Sequence, residues 1–409
     1  MKIVYLSPSG ELGGAEKSLI DILASLSAAR PDWTLRLLAG EDGPLLSKVK
    51  SLNIAAAVVP FPQALSRLGD AGGVGAPSGS QSDAFGLLMK GAPAGVSVVT
   101  YVMRLRRELR KLAPDVLHTN GFKMHILGAW SRPSDASLVW HIHDYVSSRP
   151  VMTRLLRRYR SRCSVAIANS NSVADDVQAV CDGRMKVRPV YNAVDLERFS
   201  PTGARSNLDA LAGLPQAPPG TLKIGLLATF GRWKGHAVFF KALSLLPPSV
   251  QFRAYIIGAA LYKTAGSQYS LEELRKMSSQ MGVSHRVGFT GFVEDTASAI
   301  RSLDVVVHTS TEPEPFGLVI VEAMACGRAV IVSRAGGAAE IIEEGTNALG
   351  HHPGDAPGLA ERIKQLAIDI DLRESLGRAG RIWAEQHFNR ARLATDLIPI
   401  YKEATSLKN

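Results

Sequence analysis

T-E-P-E-P-F-G-L-V-I-V-E-A-M-A-C-G-R-A-V-I-V-S-R-A-G-G-A-A-E, residues 311–340, is the stretch whose reading decides the fold. The apolar run just before it, Asp304 to His308, reads as a buried strand. A loop with two prolines follows, then an apolar helix, then a second strand from Ala329 to Ser333. Buried strands joined through a helix form the repeating unit of an α/β sheet. Two carboxylates stand in this unit: Glu314 in the loop and Glu322 inside the otherwise apolar helix. A helix start has unpaired N–H groups and a partial positive charge, so the amides of Phe316, Gly317 and Leu318 read as an anion site. With Glu314 beside that site and Glu322 two turns down the helix, the stretch suits a ligand with hydroxyls around a phosphate, such as a sugar nucleotide. The plainer alternative is a strand–loop–helix whose Glu322 points to solvent.

Working outward, 409 residues with 46% apolar composition leave room for two or three domains, each with its own core. Three cysteines, Cys163, Cys181 and Cys326, have no metal-type spacing and cannot all pair, which fits a reducing cytoplasm. The N-terminal M-K-I-V-Y-L-S-P-S-G reads as a short strand and turn rather than a signal peptide. No apolar run approaches the roughly 20 residues of a membrane span. The net charge of +10 is uneven: residues 1–195 hold 24 Lys+Arg against 16 Asp+Glu, and the rest hold 23 against 21. The excess gathers at Arg104, Arg106, Arg107, Arg110 and Lys111, and at Arg154, Arg157, Arg158, Arg160 and Arg162. Such clusters suit an anionic membrane or a polyanionic substrate, or are solvated helix faces. Without interleaved aromatics they give no case for nucleic acid.

The chain opens with a strand, Lys2 to Ser7, the glycine loop G-E-L-G-G-A-E-K-S and a helix, Ser18 to Ala28. That order begins a doubly wound unit. Strands are expected at Thr34–Ala39, Ala55–Pro60, Asp115–His118, Leu138–His143, Val165–Ala168 and Val187–Tyr191. Helices are expected at Val96–Leu112 and Lys123–Trp130, with T-N-G-F as a loop between Asp115–His118 and the second of them. Residues 62–97 resist reading, and Gly69 to Ser82 is expected to be a loop. His118, His141, His143 and Asp144 fall at strand ends, where open parallel sheets bind ligands. They lack tight metal-ligand spacing. A Pro-, Ala- and Gly-rich stretch, 196–220, reads as an interdomain linker. A second alternating set starts at Leu222 and runs into the opening stretch, and the C-terminal third is helical. The expected domains are 1–195, 221–388, and a terminal helical segment, 389–409, packing back on the first.

Several motifs now stand in order: the Gly13-Gly14 loop, H-I-H-D at 141–144, Y-N-A-V-D-L-E-R-F-S-P at 191–201, W-K-G-H at 233–236, G-F-V-E-D at 291–295, E-P-F-G-L-V-I-V-E-A-M-A-C-G at 314–327 and G-G-A-A-E at 336–340. In these the chain resembles the family 4 retaining glycosyltransferases of the GT-B fold. The resemblance implies two Rossmann-like α/β domains facing across a cleft. It implies transfer of a sugar from a UDP- or GDP-linked donor to a glycan or lipid-linked acceptor of the cell surface, with no cofactor. Glu314 resembles the residue near the donor sugar hydroxyls, and Glu322 the one that accepts from the nucleotide ribose. Lys234 resembles the lysine that neutralises the leaving diphosphate, and His143 the histidine facing the reacting sugar. Gly13 and Gly14 resemble the loop near donor phosphate and acceptor, and the backbone around Val293 would meet the base.

Two positions depart from the family pattern. Thr229 stands where an arginine is usual, and Arg232 is the candidate to supply that second cation. Arg328 stands where proline is common. An Asp-x-Asp motif of the metal–phosphate type is taken to be absent, so Lys234, Arg232 and the amides at 316–318 are expected to stabilise the leaving group without a metal. A sugar-nucleotide epimerase or hydrolase on the same fold, and a non-catalytic glycan-binding relative, are the alternatives. The expected location is the cytoplasm, with peripheral membrane contact through the two basic clusters.

Overall fold

A computed structural model describes residues 1–62, 92–260 and 266–406. The loop expected at Gly69–Ser82 lies outside the described residues. The chain divides into two compact units. The first takes the described residues up to Ala193 and those from Arg390 on, and the second takes Val194–Asn389.

The first unit is built on seven strands: β1 Lys2–Ser7, β2 Thr34–Ala39, β3 Ala55–Val58, β4 Val116–Asn120, β5 Ser137–Ile142, β6 Val165–Ala168 and β7 Val187–Pro189. Their order in the sheet is β3-β2-β1-β4-β5-β6-β7, and all neighbours are parallel. Every residue of β4 and β5 is buried, because crossover helices cover both faces of a parallel sheet. One face packs Leu6, Leu105, Leu117 and Trp140 together, and the other packs Ile3, Leu19, Val116 and Leu397. The helix Ala92–Leu112 buries Val98, Tyr101, Leu105 and Leu109. That spacing is one helical face, which leaves Arg104, Arg106, Arg107, Arg110 and Lys111 exposed. The last helix, Arg392–Ser406, buries Leu393, Leu397, Ile400 and Tyr401 in this same unit.

The second unit has six parallel strands: β8 Leu222–Leu227, β9 Phe252–Ile257, β10 Val287–Gly291, β11 Val305–His308, β12 Ala329–Ser333 and β13 Leu349–His351. Their order is β10-β9-β8-β11-β12-β13. In both sheets the strand order reverses beside the first strand, between β1 and β4 and between β8 and β11. Ligands of open α/β sheets bind beyond the carboxyl ends at such a switch point.

Three readings are corrected here. Thr119 and Asn120, expected in a loop, complete β4 and are fully buried. Residues 196–220, expected as a linker, are part of the second unit. The Asp209 carboxylate of that stretch accepts from the Tyr255 hydroxyl at 2.8 Å, and Arg301 donates to the carbonyls of Ala204 and Arg198. Proline and glycine there limit regular structure to one short helix, Leu208–Leu211, without preventing packing. The position of Glu322 also changes. The helix spans only Leu318–Ala325, so Glu322 stands one turn inside it rather than two. Arg328, in the place where proline is common, donates to the carbonyls of Cys326 and Leu303 and so closes the end of that helix. Among the described residues, no helix is long and apolar enough to cross a membrane. The three cysteines are unpaired.

Candidate active site

Beyond β8 the chain makes a short 3-10 turn, Arg232–Lys234, and enters the helix His236–Ser244 through Gly235. Gly235 has φ of +74°, and a Cβ there would lie 1.8 Å from the carbonyl oxygen of Thr309. Only glycine fits so close to the loop that leaves β11. The two loops are laced together. Thr309 Oγ1 donates to the Lys234 carbonyl at 2.7 Å, and the Thr311 N–H donates to the Trp233 carbonyl at 2.8 Å. This lacing brings Lys234 Nζ within 2.9 and 2.7 Å of the two carboxylate oxygens of Glu314.

Glu314 is held from several sides. Its backbone N–H donates to the Ala335 carbonyl at 3.3 Å, just ahead of the G-G-A-A-E segment. Ser310 Oγ donates to Oε2 at 2.7 Å, and His308 Nε2 lies 3.3 Å from the same oxygen. An ionised carboxylate only accepts, so Nε2 of His308 carries the hydrogen. Burial by itself would raise the Glu314 carboxyl, but the Lys234 ammonium and then His308 outweigh it and hold it well below the usual carboxylate range. At neutral pH the site is therefore an ion pair with two further donors, the condition under which a shielded pair is tolerated. His308 and Ser310 were not singled out in the sequence. Their signal was position: polar side chains in H-T-S, where an apolar strand ends.

Glu322 is 8% exposed, so the solvent-facing alternative does not describe it. Phe316 is buried, its ring 5.8 Å from that of Phe388. Gly317 caps the helix in the left-handed conformation, with φ of +101°. The first-turn N–H groups follow at Leu318, where an anion site was expected. Val293 is half-buried in the loop after β10, beside the exposed Phe292.

Arg232 is not brought to the Lys234–Glu314 pair. Its guanidinium lies over the Tyr269 ring at 4.3 Å, and it donates to Glu273 at 3.1 Å and to the Gly266 carbonyl at 3.0 Å. Thr229 Oγ1 is buried and has no partner. An Asp-x-Asp, expected to be absent, does occur in the sequence at Asp369-Ile370-Asp371. It opens the helix Ile370–His387, where Asp369 Oδ1 accepts from the Leu372 N–H at 2.8 Å. That is an N-cap. Among the described residues, His, Cys, Asp and Glu form no group of three able to hold a metal ion.

In the first unit, Gly13 is the N-cap and Gly14 the first residue of the helix Gly14–Ala29 that follows β1. Gly13 has φ of −85°, so its backbone does not itself demand glycine. The carboxyl ends of β4 and β5 bring together a cluster of histidines. His118 and His141 are buried, with ring centroids 5.3 Å apart, and His141 lies 4.0 Å from the half-buried His143. His143 Nε2 is 2.5 Å from Asn120 Oδ1. Asp144 instead pairs with Arg149.

Burial, and next the neighbouring His143, push His118 from the ordinary 6.5 down to about 3. His141 is held low by the same causes. Between those two values the unfolded chain binds protons that the folded chain refuses. Folding stability is therefore expected to fall as pH drops from about 6.5 toward 3, by about 1.4 kcal/mol per pH unit through His118, with His141 acting in the same direction. Urea titrations at neutral and mildly acid pH would check this. An acid slope unchanged in His118→Asn would rule the histidine out as its source.

Comparison with known proteins fits this geometry. The family profile described as Glycosyl transferases group 1 matches residues 215–383, and that described as Glycosyltransferase Family 4 matches residues 79–198. The chain is 30% identical over 250 residues to the D-inositol 3-phosphate glycosyltransferase of Paenarthrobacter aurescens, covering 59% of this chain and 57% of that one. It is 31% identical over 225 residues to the lipopolysaccharide core biosynthesis glycosyltransferase LpsE of Rhizobium meliloti, covering 55% and 60%. These matches span less than two thirds of either relative. The crystal structure of Anabaena HepE in complex with UDP-glucose superposes with a TM-score of 0.75 at 26% identity, over 98% of this chain and 99% of that one. With both halves matched in order and the whole length sharing this architecture, the chain belongs to the group 1, family 4 glycosyltransferases of the GT-B fold.

Proposed function

We propose that the protein is a retaining, metal-independent glycosyltransferase that moves a sugar from a nucleoside diphosphate sugar, UDP- or GDP-linked, to a glycan or lipid-linked acceptor of the cell surface. The observation that carries this reading is the Lys234–Glu314 pair at the switch point of the second sheet. The UDP-glucose complex of HepE favours a uridine donor. In the proposed reaction the bond from the sugar C1 to the diphosphate oxygen breaks. A bond from C1 to the acceptor hydroxyl oxygen forms on the same face, and the hydroxyl proton passes to the departing phosphate. Negative charge gathers on the diphosphate, where Lys234 and the first-turn amides after Gly317 stabilise it. Glu314 orients the sugar hydroxyls, Glu322 accepts from the ribose, and the backbone at Val293 meets the base. In the first unit, His143 is assigned to the reacting sugar and the Gly13-Gly14 loop to phosphate and acceptor. Arg232 can join only by leaving Glu273, so the reading places the charge on Lys234.

A panel of nucleotide sugars, screened by thermal shift and then by slow donor hydrolysis, tests the reading. One donor is expected to stabilise the protein. Glu322→Ala is expected to weaken calorimetric binding of its nucleotide about tenfold, which corresponds to about 1.4 kcal/mol. Unchanged affinity for UDP and GDP would remove the role of Glu322, and no binding of either by the wild type would favour the non-catalytic alternative. An epimerised nucleotide sugar formed without acceptor would favour the epimerase.

The reading extends to a cytoplasmic protein in peripheral contact with an anionic membrane. On the helix Ala92–Leu112 the exposed Val99 and Met103 stand among the exposed arginines, and Arg154, Arg157, Arg158 and Arg160 line a separate hollow. Apolar side chains ringed by cations suit anionic headgroups. Flotation with phosphatidylserine vesicles should be salt-sensitive, and equal flotation with neutral vesicles would overturn this part.

A further inference from the structure

The glycine loop and the histidine of H-I-H-D lie far apart in the sequence, yet one unremarked side chain touches both neighbourhoods. Asn120 ends β4 and is fully buried, in register with His141 on β5. Gly121 turns the chain directly after it, with φ of +90°, into the helix Phe122–Ser131. Its Nδ2 lies 3.3 Å from the Ala15 carbonyl, in the first turn of the helix that follows Gly13-Gly14. Its Oδ1 lies 2.5 Å from His143 Nε2.

These contacts settle which atom is which. A backbone carbonyl only accepts, so the group facing Ala15 is the amide NH2. The atom facing His143 is then the amide oxygen, which also only accepts. Nε2 of His143 must therefore carry the hydrogen, and in the neutral ring Nδ1 keeps a lone pair. That Nδ1 is buried and has no protein partner. Asn169 fixes the other side of the residue by donating from Nδ2 to the His143 carbonyl at 3.2 Å.

We propose that Asn120 is a positioning residue: it locks His143 as the Nε2–H tautomer and couples that ring to the glycine loop through Ala15. The consequence for activity rests on the glycosyltransferase reading above. His143 then has no N–H left to give a substrate, because its one N–H is already committed to Asn120, and its part in transfer depends on where the ring is held. Asn120 need not touch substrate to matter, since it sets which nitrogen carries the hydrogen and where the ring stands.

The test is long-range proton–nitrogen NMR on the 15N-labelled full chain, with the His143 signals assigned by their loss in His143→Gln. In the wild type His143 should show a protonated Nε2 and a bare Nδ1. In Asn120→Ala the two tautomers should mix. In Asn120→Asp the carboxylate still accepts from Nε2, so the tautomer should survive. The added negative charge should also move imidazole protonation upward by more than one pH unit from its burial-depressed position of about 3. The charged or titratable groups around that ring are His118, His125 and His141, with Asp144 next in the chain and paired to Arg149. The carboxylate introduced by Asn120→Asp would be the one new charge among them.

With an identified donor and acceptor, Asn120→Ala should lower kcat by roughly tenfold to a hundredfold with little change in KM, the scale of a displaced catalytic group. Asn120→Asp should recover part of the loss. A bare Nε2 in the wild type, or a single Nε2–H tautomer persisting in Asn120→Ala, would overturn the proposal, and the first result needs no Asn120 variant to fold. Absence of any transfer by the wild type would instead count against the glycosyltransferase reading and leave the NMR result standing.

Discussion

Lys234→Ala is expected to lower sugar transfer by roughly 10²-fold or more, the scale on which a preorganised charge partner of a transition state is lost. Lys234 holds the cation that the departing diphosphate would need, and Glu314 keeps it in place through two contacts of 2.9 and 2.7 Å. Its side chain is 23% exposed and that of Glu314 13%, so solvent screens the pair weakly. Removing the lysine strands a carboxylate whose remaining donors are Ser310 and His308. Breaking a buried pair from one side costs about 3–5 kcal/mol, and those two donors should keep this case at or below the lower end.

The loss of rate must therefore be separated from a loss of fold. A melting curve of the variant establishes that it is folded at the assay temperature, and Glu314→Gln provides the reverse deletion, keeping the cation while removing its partner. Lys234→Arg is expected to recover little, because a planar guanidinium does not replace a compact ammonium at a site shaped by two loops. If folded Lys234→Ala protein transfers sugar at near the wild-type rate, Lys234 has been given the wrong role.

The second large effect comes from a residue with no side chain. Gly235→Ala should destabilise the protein by several kcal/mol and, in whatever remains folded, cost transfer about as much as removing Lys234. A left-handed residue with a Cβ costs about 1–2 kcal/mol. Here the added carbon would also sit 1.8 Å from the Thr309 carbonyl, so the two loops must part. Parting them breaks the bond from Thr309 Oγ1 to the Lys234 carbonyl and swings Lys234 away from Glu314. Gly345 makes a sharp control: its φ is also +74°, yet a Cβ there meets nothing within 4 Å. Gly345→Ala should show the conformational cost alone. Equal melting temperatures and equal transfer rates for the two variants would refute the steric argument.

Local pattern made much of the fold legible. The buried strands β11 and β12 and the helix between them could be read from 304–333 because each is a continuous apolar run of the right length. The last helix, Arg392–Ser406, falls in the terminal segment that was expected to be helical. β13 was not read, since three residues, Leu349–His351, carry no measurable period. Asn120 was placed in a loop because the T-N-G-F turn signal outweighed a strand end whose polar residues are buried among other polar groups. Glu314 and Lys234 were legible as residue types in recognisable surroundings.

The sequence by itself therefore determined the two α/β units and the segments that supply each candidate side chain, because strand and helix periodicity arise from neighbours two to four residues apart. The tertiary structure alone decided the pairings: Lys234 with Glu314 across 80 residues, Arg232 with Glu273 and Asn120 with His143. Each cation or amide had several candidate partners in the chain. Which one it met depended on where the loops closed, and in the second unit that closure turned on the space a single glycine leaves beside the Thr309 carbonyl.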